Sequence, residues 1–322
     1  MITLAVCIPT HNRPRLLQEA IKSCFDQTRS PDEICVEDNS PGDATEHAVR
    51  ALKEQTNIPI VYTHTRHRLP QAENFNNLIH RVSCSHLLLL HDDDSLLPNA
   101  IHDLSACWDR LPGLTAAYGK QYVISEGGKL DLASSERMNA NYHRTADREG
   151  LQKPSWFPGI VQQFPNDGYM ICTAAATEIM WRPSLGNGCE FDFGLRLCLR
   201  FQGIYFVNKY TTNYRVNSLS MSASINDNAS LRSFWILHDA SLPDEAGDLR
   251  RRQLNAFAPQ AVSQAVRRRE TRAALRIYLS EFYPWSRRLT FRSISKLAEM
   301  VVPTSLLNFV RMLVRGRSRV DK

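Results

Sequence analysis

Several signals that assign a protein to a broad class are absent from this sequence of 322 residues. The longest apolar blocks, such as Leu87–Leu90, are far shorter than the 18 or more apolar residues of a membrane-spanning helix. Met1–Leu4 shows neither the basic segment nor the apolar segment of a secretory signal, so we expect a cytoplasmic protein. The eight cysteines form no C-x-x-C pair, which predicts reduced core thiols rather than disulfides or a zinc site.

The glycine-rich loops of two large nucleotide-binding classes are also missing. The first apolar run, Leu4–Ile8, is followed by P-T-H-N-R-P instead of G-x-G-x-x-G, which disfavours a dinucleotide-binding fold. No G-x-x-x-x-G-K-[ST] occurs, which excludes a P-loop NTPase. Any nucleotide site in this chain must therefore be built from other residues.

The charge of the chain is unevenly distributed. Residues 265–322 carry 14 Lys and Arg against 4 Asp and Glu, a net charge of +10. Residues 1–264 therefore carry −4 of the total of +6. A basic tail on a mildly acidic body favours an anionic partner surface, either a membrane or a nucleic acid.

Short apolar runs alternate with segments of helical spacing over the first hundred residues. This alternation favours an α/β fold with a doubly wound, mostly parallel sheet. The predicted strands are Leu4–Ile8, Glu33–Val36, Ile58–Thr63 and His86–Leu90, and the predicted helices are Arg15–Gln27, Ala44–Lys53 and Glu73–Val82.

The pattern becomes less regular beyond Pro98. A polar stretch rich in Pro, Gly and Asn over residues 133–168 predicts a long functional loop region. Other segments there predict helices near 100–109 and 191–201 and strands near 116–125 and 203–207. We expect a catalytic domain over residues 1–225 and a basic, mainly helical region over residues 226–322.

Polar side chains follow three of the predicted strands, as P-T-H-N, E-D-N and H-D-D-D. In open α/β sheets, ligands bind outside the carboxyl ends of the strands, so these segments converge on one functional edge. Three adjacent aspartates, Asp92, Asp93 and Asp94, repel one another unless a positive charge neutralises them, and a hard divalent cation prefers such oxygen ligands. A solvated turn is the alternative interpretation of the run.

The three segments together resemble the family 2 glycosyltransferases of the GT-A fold. The matching stretches are V-C-I-P-T-H-N-R-P, E-I-C-V-E-D-N-S-P-G-D and H-L-L-L-L-H-D-D-D-S-L-L-P. That family shows a strand and P-T-[YH]-N-R, a strand and V-D-D-G-S-x-D, and a strand with a D-x-D metal motif followed by a proline. The resemblance covers roughly residues 3–220, and its specific motifs lie in the first hundred.

The resemblance implies a nucleotide-sugar donor, usually of UDP or dTDP, with Mg²⁺ or Mn²⁺ on its diphosphate. It implies that Asp38 contacts the base, with Asn39 in place of the frequent second aspartate. It also implies a set of residues around the nucleotide and its phosphates, namely Pro9, Thr10, Asn12, Arg13, Arg66, Asn74, Asp92 and Arg215.

The D-x-D motif of that family can be aligned with this chain in two ways. If Pro98 fixes the alignment, His91 takes the first Asp position and Asp93 the second. If the aspartates fix it, Asp92 and Asp94 are the pair. We expect Asp93 to be the central metal ligand, with Asp92 and Asp94 beside it.

The resemblance also implies a general base at the start of a later helix, in a pattern like E-D-x-D-x-x-x-R. G-C-E-F-D-F-G-L-R matches that pattern in outline. Counted back from Arg196, Glu190 takes the usual base position and Asp192 the second acidic one. Asp192 is preferred slightly because it keeps the usual carboxylate length, and helix N-terminal acids favoured by the dipole are the alternative for either residue.

The partners expected on this basis are a nucleotide-sugar and a glycan or lipid-linked saccharide acceptor, as in bacterial surface polysaccharide synthesis. The apolar stripe of Leu306, Leu307, Phe309, Val310, Leu313 and Val314, flanked by arginines, predicts contact with the inner face of a membrane. A helix packed on protein is the alternative, and nucleic acid is not expected. A sugar-phosphate nucleotidyltransferase or a catalytically silent nucleotide-binding module remain the alternative functions.

Overall fold

The computed structural model describes residues 2–216 and 228–290, together with Ser293 and Lys296. The chain divides into two compact units, Met1–Ser224 and Ile225–Lys322. A mixed β-sheet lies at the centre of the first unit. Its strands are β1 (Leu4–Thr10), β2 (Glu33–Asp38), β3 (Ile60–His64), β4 (His86–Leu89), β5 (Ser95–Leu96), β6 (Ala116–Ser125), β7 (Leu130–Asp131), β8 (Gly150–Leu151), β9 (Tyr169–Cys172) and β10 (Ile204–Val216).

Helices surround this sheet and form the described part of the second unit. Short 3₁₀ turns connect some of them, at Ala146–Arg148, Pro183–Gly188 and Asp244–Ala246. The helices of the first unit are α1 (Pro14–Phe25), α2 (Ala44–Lys53), α3 (Gln71–Arg81), α4 (Ala100–Arg110), α5 (Leu132–Asn141), α6 (Phe157–Ile160), α7 (Thr173–Ile179) and α8 (Cys189–Arg200). Those of the second unit are α9 (Ala229–Asp239), α10 (Gly247–Arg267), α11 (Thr271–Leu279) and α12 (Trp285–Arg288).

The sheet is parallel over the part that carries the three polar segments. Its strand order is β3-β2-β1-β4-β9-β6-β10-β5, and β1 pairs in parallel with both β2 and β4. β9 lies antiparallel between β4 and β6, while β6 and β10 are parallel. The carboxyl ends of β1, β2 and β4 therefore lie next to one another at one edge of the sheet.

Strand β1 shows why the sheet must be covered on both faces. Leu4, Val6 and Ile8 pack into one apolar cluster, and Ala5 and Cys7 pack into another. Alternate residues of a strand point to opposite faces, so a strand that is apolar at every position needs helices on both sides. The eight cysteines are free, and seven of them are buried, as expected for core thiols.

The strands and helices predicted for residues 4–90 are confirmed, with their ends placed to within two residues. The long loop predicted over residues 133–168 is wrong in part, because α5 (Leu132–Asn141) forms there and β8 and α6 follow it. Helix α5 is mostly polar, so its spacing gives no amphipathic signal, but its N-cap is readable. The Asp131 carboxylate accepts a hydrogen bond from Ser134 N at 2.9 Å.

The second unit is helical over its described residues. The faces of α9 and α10 bury apolar side chains, among them Phe234 and Leu254. Gln264 joins the two helices, since its Oε1 accepts a hydrogen bond from Leu231 N at 2.8 Å. Among the residues that the structure describes, no helix is both long and apolar enough to cross a membrane. The apolar stripe predicted from Leu306 to Val314 lies outside the described residues.

Gly168, at the start of β9, should tolerate no side chain. Its φ is +69°, and a Cβ there would overlap the Thr212 side chain. Gly168→Ala should lower the free energy of unfolding by about 2–4 kcal/mol, because the left-handed backbone and the overlap each contribute. Urea unfolding checks this. Gly113→Ala, with positive φ and open space, should cost about 1 kcal/mol, and Gly42→Ala, in open space without positive φ, under about 0.5 kcal/mol. Equal costs for all three would contradict the account.

Candidate functional site

The carboxyl ends of β1, β2 and β4 are tied together by backbone hydrogen bonds. Asn39 N donates to Thr10 O at 3.2 Å, and Leu90 N donates to Cys7 O at 3.0 Å. Asn12 turns the chain from β1 into α1 with a φ of 55°, and its backbone N donates to Ser40 Oγ at 2.7 Å. The polar segment after each strand is therefore held against the segment of its neighbour, as the sequence predicted.

Arg13, just before α1, neutralises two of the three adjacent aspartates. Its Nη1 lies 3.0 Å from Asp92 Oδ1 and 3.0 Å from Asp93 Oδ2. The other oxygen of Asp92 accepts a hydrogen bond from Thr10 Oγ1 at 2.7 Å. Burial raises the pKa of Asp92, and the positive charge of Arg13 opposes that rise. Both oxygens of Asp92 thus hold the segment after β1 in place.

Asp94 is held on one side only. Its Oδ1 accepts a hydrogen bond from Arg215 N at 2.7 Å, while its buried Oδ2 has no hydrogen-bond partner in the described structure. Asp94 is 1% exposed, and burial together with the neighbouring carboxylate of Asp167 raises its pKa well above the usual value. A buried, unpartnered carboxylate oxygen beside a second carboxylate is the arrangement that a cation stabilises.

Arg215, near the end of β10, braces the turn that carries the aspartates. Its Nε donates to Asp93 O at 2.8 Å, its Nη1 donates to Glu126 O at 2.9 Å, and its Nη2 pairs with Glu19 Oε2 at 2.7 Å. The residue is 5% exposed. Each nitrogen of the guanidinium thus has a protein oxygen as partner, and the expected contact of Arg215 with a phosphate stays a prediction.

His91, Asp93 and Asp94 form a group that fits a divalent cation. Each offers one ligand atom, and the three atoms lie within 4.8 Å of one another. The unpartnered Asp94 oxygen belongs to this group, so the donor set and its burial both suit Mg²⁺ or Mn²⁺. Asp92, expected as a third ligand, is not a member of this group, and its two oxygens are contacted by Thr10 and Arg13.

A second acidic group lies on the surface after β2. Asp43, Glu46 and His64 also place one ligand atom each within 4.8 Å of one another. Asp43 is 49% exposed on its side chain and forms an ion pair with Arg66 at 2.9 Å. Arg66, expected near the ribose and phosphates, is thus paired on the surface, with its side chain 65% exposed.

Glu190, in the first turn of α8, faces the aspartate cluster. Its Oε1 lies 3.6 Å from His91 Nε2 and accepts a hydrogen bond from Gln71 Nε2 at 2.7 Å. Burial raises the pKa of Glu190, and His91 and Gln71 oppose that rise. Burial lowers the pKa of His91, but the carboxylates of Asp167 and Glu190 outweigh burial and raise it.

Asp192 has a different environment from Glu190 although it lies two residues away on the same helix. Its Oδ2 accepts a hydrogen bond from Arg196 Nε at 2.7 Å, and its Oδ1 lies 3.5 Å from Arg182 Nη1. The side chain is 3% exposed. Two guanidinium groups neutralise this carboxylate, so Glu190 is the acid that the structure brings to the cluster.

The remaining predicted nucleotide residues lie mainly below the surface of this edge. Asp38 is 0% exposed, and its carboxylate accepts hydrogen bonds from Ser40 N at 2.8 Å and Tyr62 Oη at 2.7 Å. The Asp38 carboxylate, expected to contact the nucleobase, thus already accepts hydrogen bonds that order the segment after β2. Asn39 and Asn74 are buried and donate to backbone oxygens, and Pro9 lies within β1.

Asp167 and Gln71 are site residues that sequence reasoning missed. Asp167 precedes β9 in the region predicted as a loop, and no motif marks it. Gln121 Nε2 donates to Asp167 Oδ1 at 2.9 Å, and Gln121 Oε1 accepts from the buried Arg144 at 2.7 Å.

Gln71 is the first residue of α3 and lines a cleft of about 380 Å³. The other residues that line this cleft are Arg68, Leu69, Pro70, Ala72, Pro183, Gly186 and Asn187.

Two characterised proteins share local sequence similarity with this chain. Abequosyltransferase RfbV of Salmonella typhimurium is 28% identical over 108 residues, which span 33% of this chain and 32% of that protein. The GalNAc(5)-diNAcBac-PP-undecaprenol beta-1,3-glucosyltransferase of Campylobacter jejuni is 33% identical over 127 residues, spanning 39% and 40%. The chain thus matches about a third to two fifths of the length of these relatives.

Solved structures share the fold over nearly the whole chain. TarS 1–349 of S. aureus has a TM-score of 0.62 at 14% identity, covering 92% of this chain and 89% of that one. The mannosyltransferase PcManGT of Pyrobaculum calidifontis, solved with GDP-Man and Mn²⁺, has a TM-score of 0.54 at 12% identity, covering 93% and 87%. At these identities the likeness concerns the fold, and it confirms the expected GT-A type.

The family comparison agrees with the three motifs at the sheet edge. The profile described as glycosyl transferase family 2 matches residues 5–177, which is more than half of the chain and includes β1, β2 and β4 with their polar segments. The chain belongs to glycosyltransferase family 2.

Proposed function

We propose that this protein is a metal-dependent, inverting glycosyltransferase. It moves a sugar from a nucleotide-sugar, with UDP or dTDP as the nucleotide, to a glycan or lipid-linked acceptor in bacterial surface polysaccharide synthesis. The observation that carries the proposal is the group of His91, Asp93 and Asp94 at the end of β4, with its buried, unpartnered carboxylate oxygen. Family membership alone would not indicate that this particular chain keeps a working donor site.

Asp93 and Asp94 would hold the cation, which when bound supplies positive charge to a leaving diphosphate. Arg13 pairs with Asp92 and Asp93 and would provide a second positive charge at the diphosphate. Thr10 and Asn12 line the adjoining segment, where the nucleotide would lie. Asp38 would order Ser40 beside the nucleotide. A nucleobase would contact Asp38 by displacing the hydrogen bond from Tyr62.

Glu190 is our choice for the general base, ahead of Asp192. A base that accepts a proton from an acceptor hydroxyl must not be neutralised by a fixed guanidinium, and Arg196 neutralises Asp192. Glu190 has two properties that suit a general base. Burial raises its pKa, and Gln71 fixes one of its carboxylate oxygens. Gln71 also lines a cleft, and this cleft is our proposed place for the acceptor.

The relatives support the substrate classes. The Campylobacter relative is named for a glycan linked through diphosphate to undecaprenol, and TarS has been solved with UDP and with UDP-GlcNAc. PcManGT has been solved with Mn²⁺. These names concern other proteins, and they motivate the choice of UDP and Mn²⁺ as the first ligands to test.

Metal-dependent nucleotide binding tests the donor site. Wild type should bind UDP or dTDP with Mn²⁺ and lose that binding in EDTA, as measured by calorimetric titration. Asp93→Ala should weaken binding with Mn²⁺ by at least the 10- to 100-fold that loss of an outer-shell metal partner costs. Asp109→Ala, an exposed carboxylate on α4, is the control and should bind as wild type. Equal affinity with Mn²⁺ and with EDTA would exclude the metal-dependent mechanism.

Substitution of the two acids of α8 tests the base. Glu190→Gln should lower turnover of the donor about 10²- to 10⁴-fold, measured as nucleotide release with both the donor and Mn²⁺ at saturation. Asp192→Asn should instead lower the free energy of unfolding by about 3 kcal/mol, since it leaves Arg196 without its buried partner. The reverse pattern would make Asp192 the base. Nucleotide binding without turnover in wild type would support the catalytically silent alternative.

Contact with a membrane surface is part of the proposal. At the end of the described second unit, Leu279, Trp285 and Leu289 are 68%, 77% and 86% exposed. The Arg288 guanidinium lies over the Trp285 ring at 4.1 Å, so this exposed ring lies beside a positive charge. Aromatic and apolar side chains next to arginines suit the interface of an anionic bilayer.

Vesicle co-sedimentation tests this contact. Wild type should sediment with vesicles of phosphatidylcholine and phosphatidylglycerol at 7:3, and much less with phosphatidylcholine alone. Trp285→Ser with Leu289→Ser should reduce sedimentation with the anionic vesicles. Leu130→Ser with Leu132→Ser, which removes exposed apolar residues of the first unit, is the matched control and should sediment as wild type. An equal loss in both double variants would argue against this surface.

A further inference from the structure

His91 occupies a position where the family pattern has an aspartate when Pro98 fixes the alignment, and its two ring nitrogens face different groups. Nδ1 lies 4.0 Å from Asp94 Oδ2, and Nε2 lies 3.6 Å from Glu190 Oε1. The imidazole thus lies between the cation group and the carboxylate of the proposed base. Among the residues that the structure describes, neither His91 Nε2 nor Asp94 Oδ2 has a hydrogen-bond partner.

We propose that His91 binds the cation through Nδ1 and holds Glu190 through Nε2–H, so that the metal and the base are linked by one side chain. The inference rests on the proposed function and deepens it. Two atoms that are each about 2.1 Å from one ion lie at most about 4.2 Å apart, so the separation of Nδ1 and Asp94 Oδ2 is compatible with a shared ion. A histidine that binds a metal usually donates its other N–H to a carboxylate, which fixes its tautomer.

The charge around the site explains why an imidazole suits this position. Five carboxylates already lie around His91, those of Asp92, Asp93, Asp94, Asp167 and Glu190. A further aspartate would increase that repulsion, whereas a neutral imidazole adds a ligand without adding charge. The nitrogen ligand also changes the metal preference, because imidazole suits transition metals and Mg²⁺ prefers oxygen.

Electron spin echo spectroscopy of bound Mn²⁺ tests the nitrogen ligand directly. In the full-length protein with Mn²⁺ alone, we expect ¹⁴N modulation that changes to the ¹⁵N pattern after labelling with ¹⁵N-histidine. His91→Asp should still bind Mn²⁺ but lose the modulation, and it should bind Mg²⁺ more tightly relative to Mn²⁺ by about tenfold or more. His11→Asn, a second imidazole at the same sheet edge, should keep the modulation.

Two carboxylate variants test the link to Glu190. Glu190→Gln should weaken Mn²⁺ binding about 10- to 100-fold and alter the nitrogen coupling, because Nε2–H loses its charged acceptor. Glu178→Gln removes a carboxylate from an exposed ion pair with Arg200 and is the matched control, so the nitrogen coupling should not change. An unchanged coupling in Glu190→Gln would overturn the link.

The outcomes separate this inference from the proposed function. If Mn²⁺ binds and supports UDP binding without any nitrogen coupling in wild type, His91 is not a ligand and the inference is wrong, while the donor site stands. If Mn²⁺ does not bind, both fail. The wild-type labelling experiment requires no substitution, so a variant that does not fold cannot leave the proposal undecided.

Discussion

Negative charge concentrated at the end of a buried strand is the constraint on which the rest of the site depends. Three carboxylates follow β4, and each needs a positive group or a hydrogen-bond donor that the fold holds beside it. Arg13 comes from the start of α1 and Arg215 from the end of β10, more than 200 residues apart in the chain. The sheet brings both to the same turn. One carboxylate oxygen, on Asp94, has no hydrogen-bond partner in the described part of the chain, and a cation bound there would complete the neutralisation.

The first hundred residues could be predicted well because their physics is local. β1, β2 and β4 are apolar on both faces, and the helices between them bury one stripe, so spacing alone separates strand from helix. Polar residues directly after a parallel strand must lie at one edge, whatever else the chain does. Residues 133–168 could not be predicted in this way, since α5 buries little and its polar sequence carries only a capping signal.

The site residues also differ in whether a local sequence signal reveals them. The sequence identified the aspartates, Arg13 and the two acids of α8, but it could not tell which acid faces the cluster. That choice depends on Arg196, which neutralises Asp192 one turn along the same helix, and on Gln71, which reaches Glu190 from a helix that is distant in the sequence. Asp167 could not be found because its importance comes only from its position beside Asp94 in the folded chain. Arg215 was found, but its donors bind protein oxygens instead of pointing into the open site.

A crystal grown with MnCl₂ and UDP would test the central claim most directly, through the anomalous signal of manganese. We predict an anomalous peak among His91, Asp93 and Asp94, next to the UDP diphosphate. UDP bound at the ends of β1 and β2 with no peak at β4, or a peak at Asp43, Glu46 and His64 instead, would contradict the account. In that case the three aspartates would be a turn stabilised by two arginines and not the metal site of a glycosyltransferase.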